Sequence, residues 1–332
     1  MIDARLPLAL DGAGLAWPEQ GRIAVFQPPA GAALAGLPRE RALIVQDFKP
    51  DFVDYAGRGY DCATEAAAEG SLAAAVVCLP RAKPEARALI AKALSLTEGP
   101  VVIDGQKTDG ADALMREIRK RVAIGGPVSK AHGKLFWIAP GAADRLGDWA
   151  AGPARTEGGF WTAPGVFSAD AIDPGSAMLA EALPDRLGAQ VADLGAGWGF
   201  LSAHVLTRTG VEALHLVEAG HMALECARRN VTDPRARFHW ADATRWDAPG
   251  RMDTVVMNPP FHVGRAADPR LGQAFVAAAA RMLSPQGQLW MVANRHLPYE
   301  STLREHFAMV AEPDGDSRYK LLQATRPLRK RG

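Results

Sequence analysis

A chain of 332 residues with 48% apolar and 23% charged residues is long enough for two packed cores, and its longest apolar stretches, residues 72–79 and 275–280, are too short to cross a bilayer as helices. A formal net charge of +1 argues against a uniformly basic protein that coats bare duplex, so any nucleic-acid contact must be local. The three cysteines (Cys62, Cys78, Cys226) show neither a C-x-x-C pair nor metal-ligand spacing, and Met1-Ile2-Asp3-Ala4-Arg5 lacks a basic region followed by an apolar core. Together these predict a cytoplasmic chain with reduced thiols and no metal site.

In the first half, the apolar run 73–79 reads as a strand that stops at Pro80. A helix is predicted over 84–96, then a Gly99-Pro100 turn and a strand at Val101-Val102-Ile103. The next helix carries Arg116, Arg119, Lys120 and Arg121, which is either a solvated face or a basic patch. The apolar segment Lys134-Leu135-Phe136-Trp137-Ile138 closes this half, giving a first domain over residues 1–140. Residues 141–165 are rich in Gly, Ala and Pro and read as a linker, with aromatic islands at Phe160-Trp161 and, just beyond, at Phe167. Phe167 either packs the linker down or folds over a ligand mouth.

The second domain, 166–332, opens with a helix predicted over 175–187. Val191-Ala192-Asp193-Leu194 then runs into Gly195-Ala196-Gly197-Trp198-Gly199 and a helical pattern from Phe200. Strand, tight turn and helix form the entry to a doubly wound sheet, and the glycines permit close backbone approach to a ligand. The spacing is G-x-G-x-G rather than the G-x-G-x-x-G of dinucleotide folds, which disfavours a nicotinamide-dependent dehydrogenase. A second strand, Ala213 to Val217, ends at Glu218-Ala219. Glu218 is placed either to accept from ribose hydroxyls or to sit at the start of the helix His221 to Asn230. A third strand, Ala236 to Trp240, precedes Ala241-Asp242-Ala243, where Asp242 takes an adenine amine or caps a turn.

The strand Asp253 to Met257 ends in Asn258-Pro259-Pro260-Phe261. Two prolines stop helix and ladder alike and leave a stiff corner. There the Asn258 amide oxygen and the Pro259 carbonyl can accept both hydrogens of one NH2 group, and Phe261 can stack on the ring that bears it. His262 is the nearby group that titrates near neutral pH, as a proton acceptor or as a solvated loop residue. A helix over 270–283, a turn at Gly287, a strand and a closing segment 320–324 complete this half. The succession of strand, proline stop, helix, Gly turn and strand repeats that of the first half, with Cys78-Leu79-Pro80-Arg81 in place of the Asn258 corner. Such a duplication favours a monomer whose halves pair internally, and a basic tail at Arg326, Arg329, Lys330 and Arg331 either solubilises it or touches a polyanion.

The order G-x-G-x-G, acid, Asp, N-P-P-F resembles the amino-methylating branch of the class I S-adenosylmethionine-dependent methyltransferases. Gly165-Val166-Phe167-Ser168, Asp173-Pro174-Gly175-Ser176, Asn258-Pro259-Pro260-Phe261-His262, Val292-Ala293-Asn294 and Leu297-Pro298-Tyr299 are similar to the small-subunit ribosomal RNA guanine-N2 methyltransferases, the RsmC-like family, over roughly 160–326. The resemblance implies an α/β fold of two tandem Rossmann-like methyltransferase domains, each a seven-stranded, mostly parallel sheet with an antiparallel last strand, the N-terminal one degenerate. It implies S-adenosylmethionine as cofactor, bound by Asp193, Gly195, Ala196, Gly197, Gly199, Glu218, Ala219, Asp242, Ala243 and Asn258. Asn258, Pro259, Pro260 and Phe261 would be catalytic, Phe167 and His262 would meet the substrate, and ribosomal RNA or a ribosomal subunit would be the partner. Trp198, inside a turn that usually holds small residues, departs from the family pattern. The competing expectations are methylation of adenine N6 or of a protein glutamine, and a non-catalytic RNA-binding assembly factor.

Overall fold

The computed structural model describes residues 2–66, 72–260, 262–263, 266–267 and 269–328. The chain divides into two compact units, residues 1–153 with 163–165 and residues 154–162 with 166–332.

The first unit contains β1 (Ile23–Phe26), β2 (Ala42–Val45), β3 (Asp61–Ala63), β4 (Ala74–Cys78), β5 (Val101–Gln106), β6 (Ile124–Lys130) and β7 (Gly133–Ile138). They form one sheet in the order β3-β2-β1-β4-β5-β7-β6, with β1 to β5 parallel and β7 antiparallel to both of its neighbours. Its helices are α1 (Leu6–Gly12), α2 (Lys49–Gly57), α3 (Lys83–Leu96) and α4 (Ala111–Arg119). Central strands covered on both faces need apolar residues at every position. Accordingly Ile23, Val25, Ala74 and Val76 join one core, while Ala24, Phe26, Ala75 and Val77 join the other. The period-2 alternation of Cβ directions separates the two sets. Within the Gly- and Ala-rich stretch 141–165, two short 3-10 turns bury Leu146 and Trp149 in the first unit's core.

In the second unit, β8 (Ala154–Arg155) and β9 (Trp161–Thr162) form a ribbon. The main sheet comprises β10 (Gln190–Leu194), β11 (Ala213–Glu218), β12 (Ala236–Trp240), β13 (Met252–Met257), β16 (Leu283–Asn294), β17 (Phe307–Gly315) and β18 (Tyr319–Pro327), in the order β12-β11-β10-β13-β16-β18-β17. A small hairpin, β14 (His262–Val263) and β15 (Ala266–Ala267), comes after β13. The helices are α5 (Pro174–Ala182), α6 (Phe200–Val205), α7 (His221–Asn230), α8 (Pro269–Met282) and α9 (Tyr299–His306). The strand order is that of the first unit, position for position. Helix α5 stops at Ala182, short of the span expected from sequence. Leu183 precedes Pro184 and is extended, with ψ of 132°, because the proline ring disfavours helical geometry one residue before it. Among the described residues no helix is long and apolar enough to cross a membrane. Parallel strands bring the loops after β10, β11, β12 and β13 to one edge of the sheet, where ligands of doubly wound folds bind.

Candidate functional site

Between β10 and α6 the chain turns through Gly195, Gly197 and Gly199 at φ of 73°, 54° and 89°. A residue with a Cβ pays about 1–2 kcal/mol for such left-handed geometry. The amides of Gly195 and Ala196 donate to Val217 O at 2.8 and 3.2 Å, pinning the turn to β11. Gly197 N donates to Glu218 Oε2 at 2.8 Å, and Gly220 N, at the start of α7, donates to Glu218 Oε1 at 2.7 Å. Glu218 thus bridges the turn and the helix start. At Gly197, its chain neighbours aside, no atom of the described residues stands within 4 Å of the place a Cβ would take, so this part of the floor is bare backbone.

Asp193, expected among the cofactor-binding residues, is completely buried and takes the Ser202 hydroxyl on Oδ2 at 2.7 Å. Among the described residues its Oδ1 has no hydrogen-bond partner. Burial, with the nearby Glu218 charge adding to it, pushes the Asp193 carboxyl up to about 7. Gly199 backs onto α7, its would-be Cβ 3.0 Å from Val231 Cγ2 and 3.3 Å from Ala227 Cβ. Asp242 caps a turn, with Oδ1 accepting from Thr244 N at 2.9 Å and Thr244 Oγ1 at 2.7 Å. Ala243 is a core residue, and the Ala219 carbonyl accepts from Trp240 Nε1 at 2.8 Å.

At the end of β13, Asn258 is half-buried, Pro259 buried and Pro260 exposed. Asn258 Nδ2 donates to Asp173 Oδ2 at 2.9 Å and to Ser176 Oγ at 2.8 Å. A carboxylate only accepts, so the nitrogen must face Asp173 and the amide oxygen faces away from it. Phe261 lies outside the described residues, and His262 is described only as backbone, paired with Ala267. Asn258 lines one cleft with Gly195, Ala196, Gly197 and Phe167, and with Ser168, Asp173, Ser176, Trp198, Phe200 and Leu201. Phe167 is 54% exposed there. The Trp198 indole turns sideways onto Phe160 and Phe200, with ring centroids 5.0 and 5.8 Å away, and its Nε1 donates to Phe167 O at 3.0 Å. The unusual tryptophan therefore anchors the strap that carries Phe167. Asn230 reinforces the arrangement, donating to the carbonyls of Trp161 and Trp198 and accepting from Trp161 N.

Asp173 and Ser176 carry no role that their sequence context would assign beyond starting a helix. Their signal is an Asp-Pro pair: Asp173 is the N-cap of α5, with Oδ2 accepting Ser176 N at 2.8 Å and Pro174 next. That pattern predicts a cap, and only the fold shows that the cap points at Asn258.

The model of the methyltransferase small domain family matches residues 157–323, half of the chain. The ribosomal RNA small subunit methyltransferase C of Shewanella oneidensis is 31% identical over 258 residues, which are 74% of this chain and 75% of that one. The protein of the same name from Hahella chejuensis is 30% identical over 241 residues, 67% and 68% of the two chains. Ribosomal RNA large subunit methyltransferase G of Aeromonas salmonicida is 33% identical, but over 165 residues, 48% of this chain and 44% of its own. The solved structure of the T. thermophilus 16S rRNA N2 methyltransferase RsmC, in complex with AdoMet and guanosine, superimposes with a TM-score of 0.75 at 27% identity, covering 94% of this chain and 90% of that one. The small-subunit relatives match more of the chain than either unit holds, and the family model covers the residues that line the cleft. The chain belongs to the ribosomal RNA small subunit methyltransferase C family.

Proposed function

We propose that this chain transfers a methyl group from S-adenosylmethionine to the exocyclic N2 amine of a guanine in small-subunit ribosomal RNA. The observation that carries the proposal is the orientation of Asn258, whose amide nitrogen is held by Asp173 and Ser176 in a cleft shared with the glycine turn.

The cleft suits the cofactor in two respects. The floor at Gly197 is open backbone, and a carboxylate stands at the end of β11 beside it. Gly195, Ala196 and Gly197 would hold the methionine part and Glu218 the ribose, with Ala219, Asp242 and Ala243 on the adenine side. Asp193 and Gly199 would act from behind, fixing the turn. When bound, S-adenosylmethionine supplies the methyl group on an already activated electrophile.

The chain's own residues must deal with a poor nucleophile, because an aryl amine shares its lone pair with the ring. Asn258 Oδ1 and the Pro259 carbonyl accept its two N–H groups, orient the nitrogen and stabilise the positive charge that develops on it. Holding the amine at near-attack distance contributes up to about 7–11 kcal/mol in the best cases. Phe261 and Phe167 offer ring faces to the base, each worth about 1–3 kcal/mol, and His262 stands next in the chain to receive the proton. The guanine must be unpaired or flipped out of its helix to present the amine. Exposed Arg116, Arg119 and Lys120 in the first unit supply a local cationic surface for RNA, whereas Arg121 is paired with Asp148. On this reading the enzyme is a cytoplasmic monomer acting on ribosomal RNA or a ribosomal subunit.

The test is incubation of the protein and labelled S-adenosylmethionine with small subunits, and with their naked RNA, from cells lacking the protein. Nuclease digestion and mass analysis should find the label on guanine N2. Label on adenine N6 or on protein glutamine would refute the substrate assignment, and no incorporation would favour an assembly factor.

A further inference from the structure

We infer that Asp173 and Ser176 are positioning residues that decide which end of the Asn258 amide meets the substrate; the inference rests on the role of Asn258 proposed above. An asparagine amide is nearly symmetric in shape and opposite in chemistry at its two ends. Rotated by half a turn, it would set two N–H donors against the N–H donors of the substrate amine. A stiff proline corner fixes the backbone of Asn258 and leaves this rotation unconstrained.

The constraint comes from α5. Asp173 Oδ2 accepts from Asn258 Nδ2 at 2.9 Å and Ser176 Oγ accepts from the same nitrogen at 2.8 Å. Two amide hydrogens therefore meet two acceptors, which leaves Oδ1 for the substrate. The same Asp173 oxygen also accepts Ser176 N at 2.8 Å, so one carboxylate starts the helix and sets the amide. The residues between suit the arrangement. Pro174 needs no hydrogen-bond acceptor at the first helical position. A Cβ on Gly175 would come to 3.1 Å from Asp173 Oδ2 and 3.0 Å from the Tyr319 ring, so glycine lets both stay close. Ser176 is 8% exposed, so little water competes for its hydroxyl. A flipped amide would place its oxygen against the Asp173 carboxylate as well as its nitrogen against the substrate, and both contacts repel.

The test is single-turnover methyl transfer at saturating cofactor, with cofactor affinity measured alongside. Ser176→Ala should lower the rate about tenfold, with affinity for S-adenosylmethionine within about twofold of wild type. Asn258→Asp sets two carboxylates face to face and should lower the rate at neutral pH by about a hundredfold. Adding Asp173→Asn to it removes one of the two facing charges, and asparagine caps a helix as well as aspartate does. The exchange should recover about tenfold over Asn258→Asp alone, which a merely structural role for Asp173 would not do. A wild-type rate in Ser176→Ala, or a double variant no faster than Asn258→Asp, overturns the inference. A wild-type protein that methylates no guanine defeats the proposed function instead. The clamp is then read from the Asn258 side-chain amide by NMR with 15N-asparagine: slow hydrogen exchange in wild type and fast exchange in Ser176→Ala support it, and fast exchange in both overturns it.

Discussion

The two units share a strand order and differ in the residues just past each strand. Phe26 of β1 pairs with Val45 and Val77, and Leu194 of β10 pairs with Val217 and Met257. The next residues therefore correspond: Gln27 with Gly195, Gln46 with Glu218, and Cys78 with Asn258. The backbone agrees, since Gln27 N donates to Val45 O at 2.9 Å and Gly195 N to Val217 O at 2.8 Å. Beyond that point the chemistry reverses. Pro28 and Pro29 stand where the second unit has Ala196 and Gly197, and a proline has no N–H to offer. The acid that accepts from Gly197 is replaced by Gln46, which donates its amide to Pro28 O at 2.9 Å. At the start of α1, Arg5 occupies the cap position that Asp173 holds in α5. Arg5 is fully buried and bonded to Asp104 at 2.6 and 2.8 Å, where Asp173 instead holds the amide of Asn258. A fold kept by apolar strands is thus indifferent to whether its loops retain any chemistry.

Matched substitutions at corresponding positions sharpen the contrast. Asn258→Ala should reduce methyl transfer by about 10²–10³-fold, the usual loss when one polar contact to developing charge is removed. Cofactor affinity should stay within about twofold of wild type. Cys78→Ala, at the corresponding place in the first unit, should leave the rate unchanged and cost about 1 kcal/mol of stability from lost packing. Equal losses of rate from the two variants would mean that the first unit shares in catalysis.

The next contrast is buried charge. Val25 corresponds to Asp193, both at 0% exposure. Burial raises the Asp193 carboxyl from 3.8 in its ordinary state to about 7. Across that interval the native state keeps a proton that the unfolded chain releases. This contribution to stability is therefore full below about pH 4, falls as pH rises towards 7, and changes little above it. Asp193→Asn should remove that decline, so urea unfolding from about pH 4.5 to 8 should show wild type losing stability relative to the variant by a few kcal/mol. Parallel curves would mean that the carboxyl titrates normally and is not desolvated.

Strands such as Ala74–Cys78, and the Val101-Val102-Ile103 start of β5, were legible in the sequence because a sheet covered on both faces demands unbroken apolar runs. The glycines showed because positive φ disfavours other residues. The duplication showed through spacing alone, since almost no residue is kept between corresponding turns. Direction stayed hidden. Asp193 reads like a ligand acid and lies beneath the turn, because β10 is a central strand covered on both faces. Asp242 caps a turn through its Oδ1, a task that its sequence context does not separate from ligand binding. Trp198 departs from the small residues usual in such a turn, and its ring turns onto Phe160 and Phe200 while its Nε1 reaches Phe167 O. Asp173 and Asn258 are 85 positions apart, and no local pattern in either segment names the other.

The smallest expected effect tests whether one atom separates a working cradle from a silent one. Glu218→Gln gives the second unit the side chain that the first has in Gln46. The amide keeps one oxygen, enough to accept from Gly197 or from Gly220 but not from both as the carboxylate does now. It also brings two N–H groups towards a turn whose own amides already point at it, and donors facing donors repel. In the first unit Pro28 offers a carbonyl and no amide, so the same glutamine is satisfied. In the second it should loosen the turn and lose an acceptor for ribose together. S-adenosylmethionine should bind about tenfold more weakly by calorimetry, the size of one charge-assisted hydrogen bond, while the transfer rate at saturation changes less than the affinity. Unchanged affinity would remove Glu218 from the cofactor site and leave it as a brace between the glycine turn and α7.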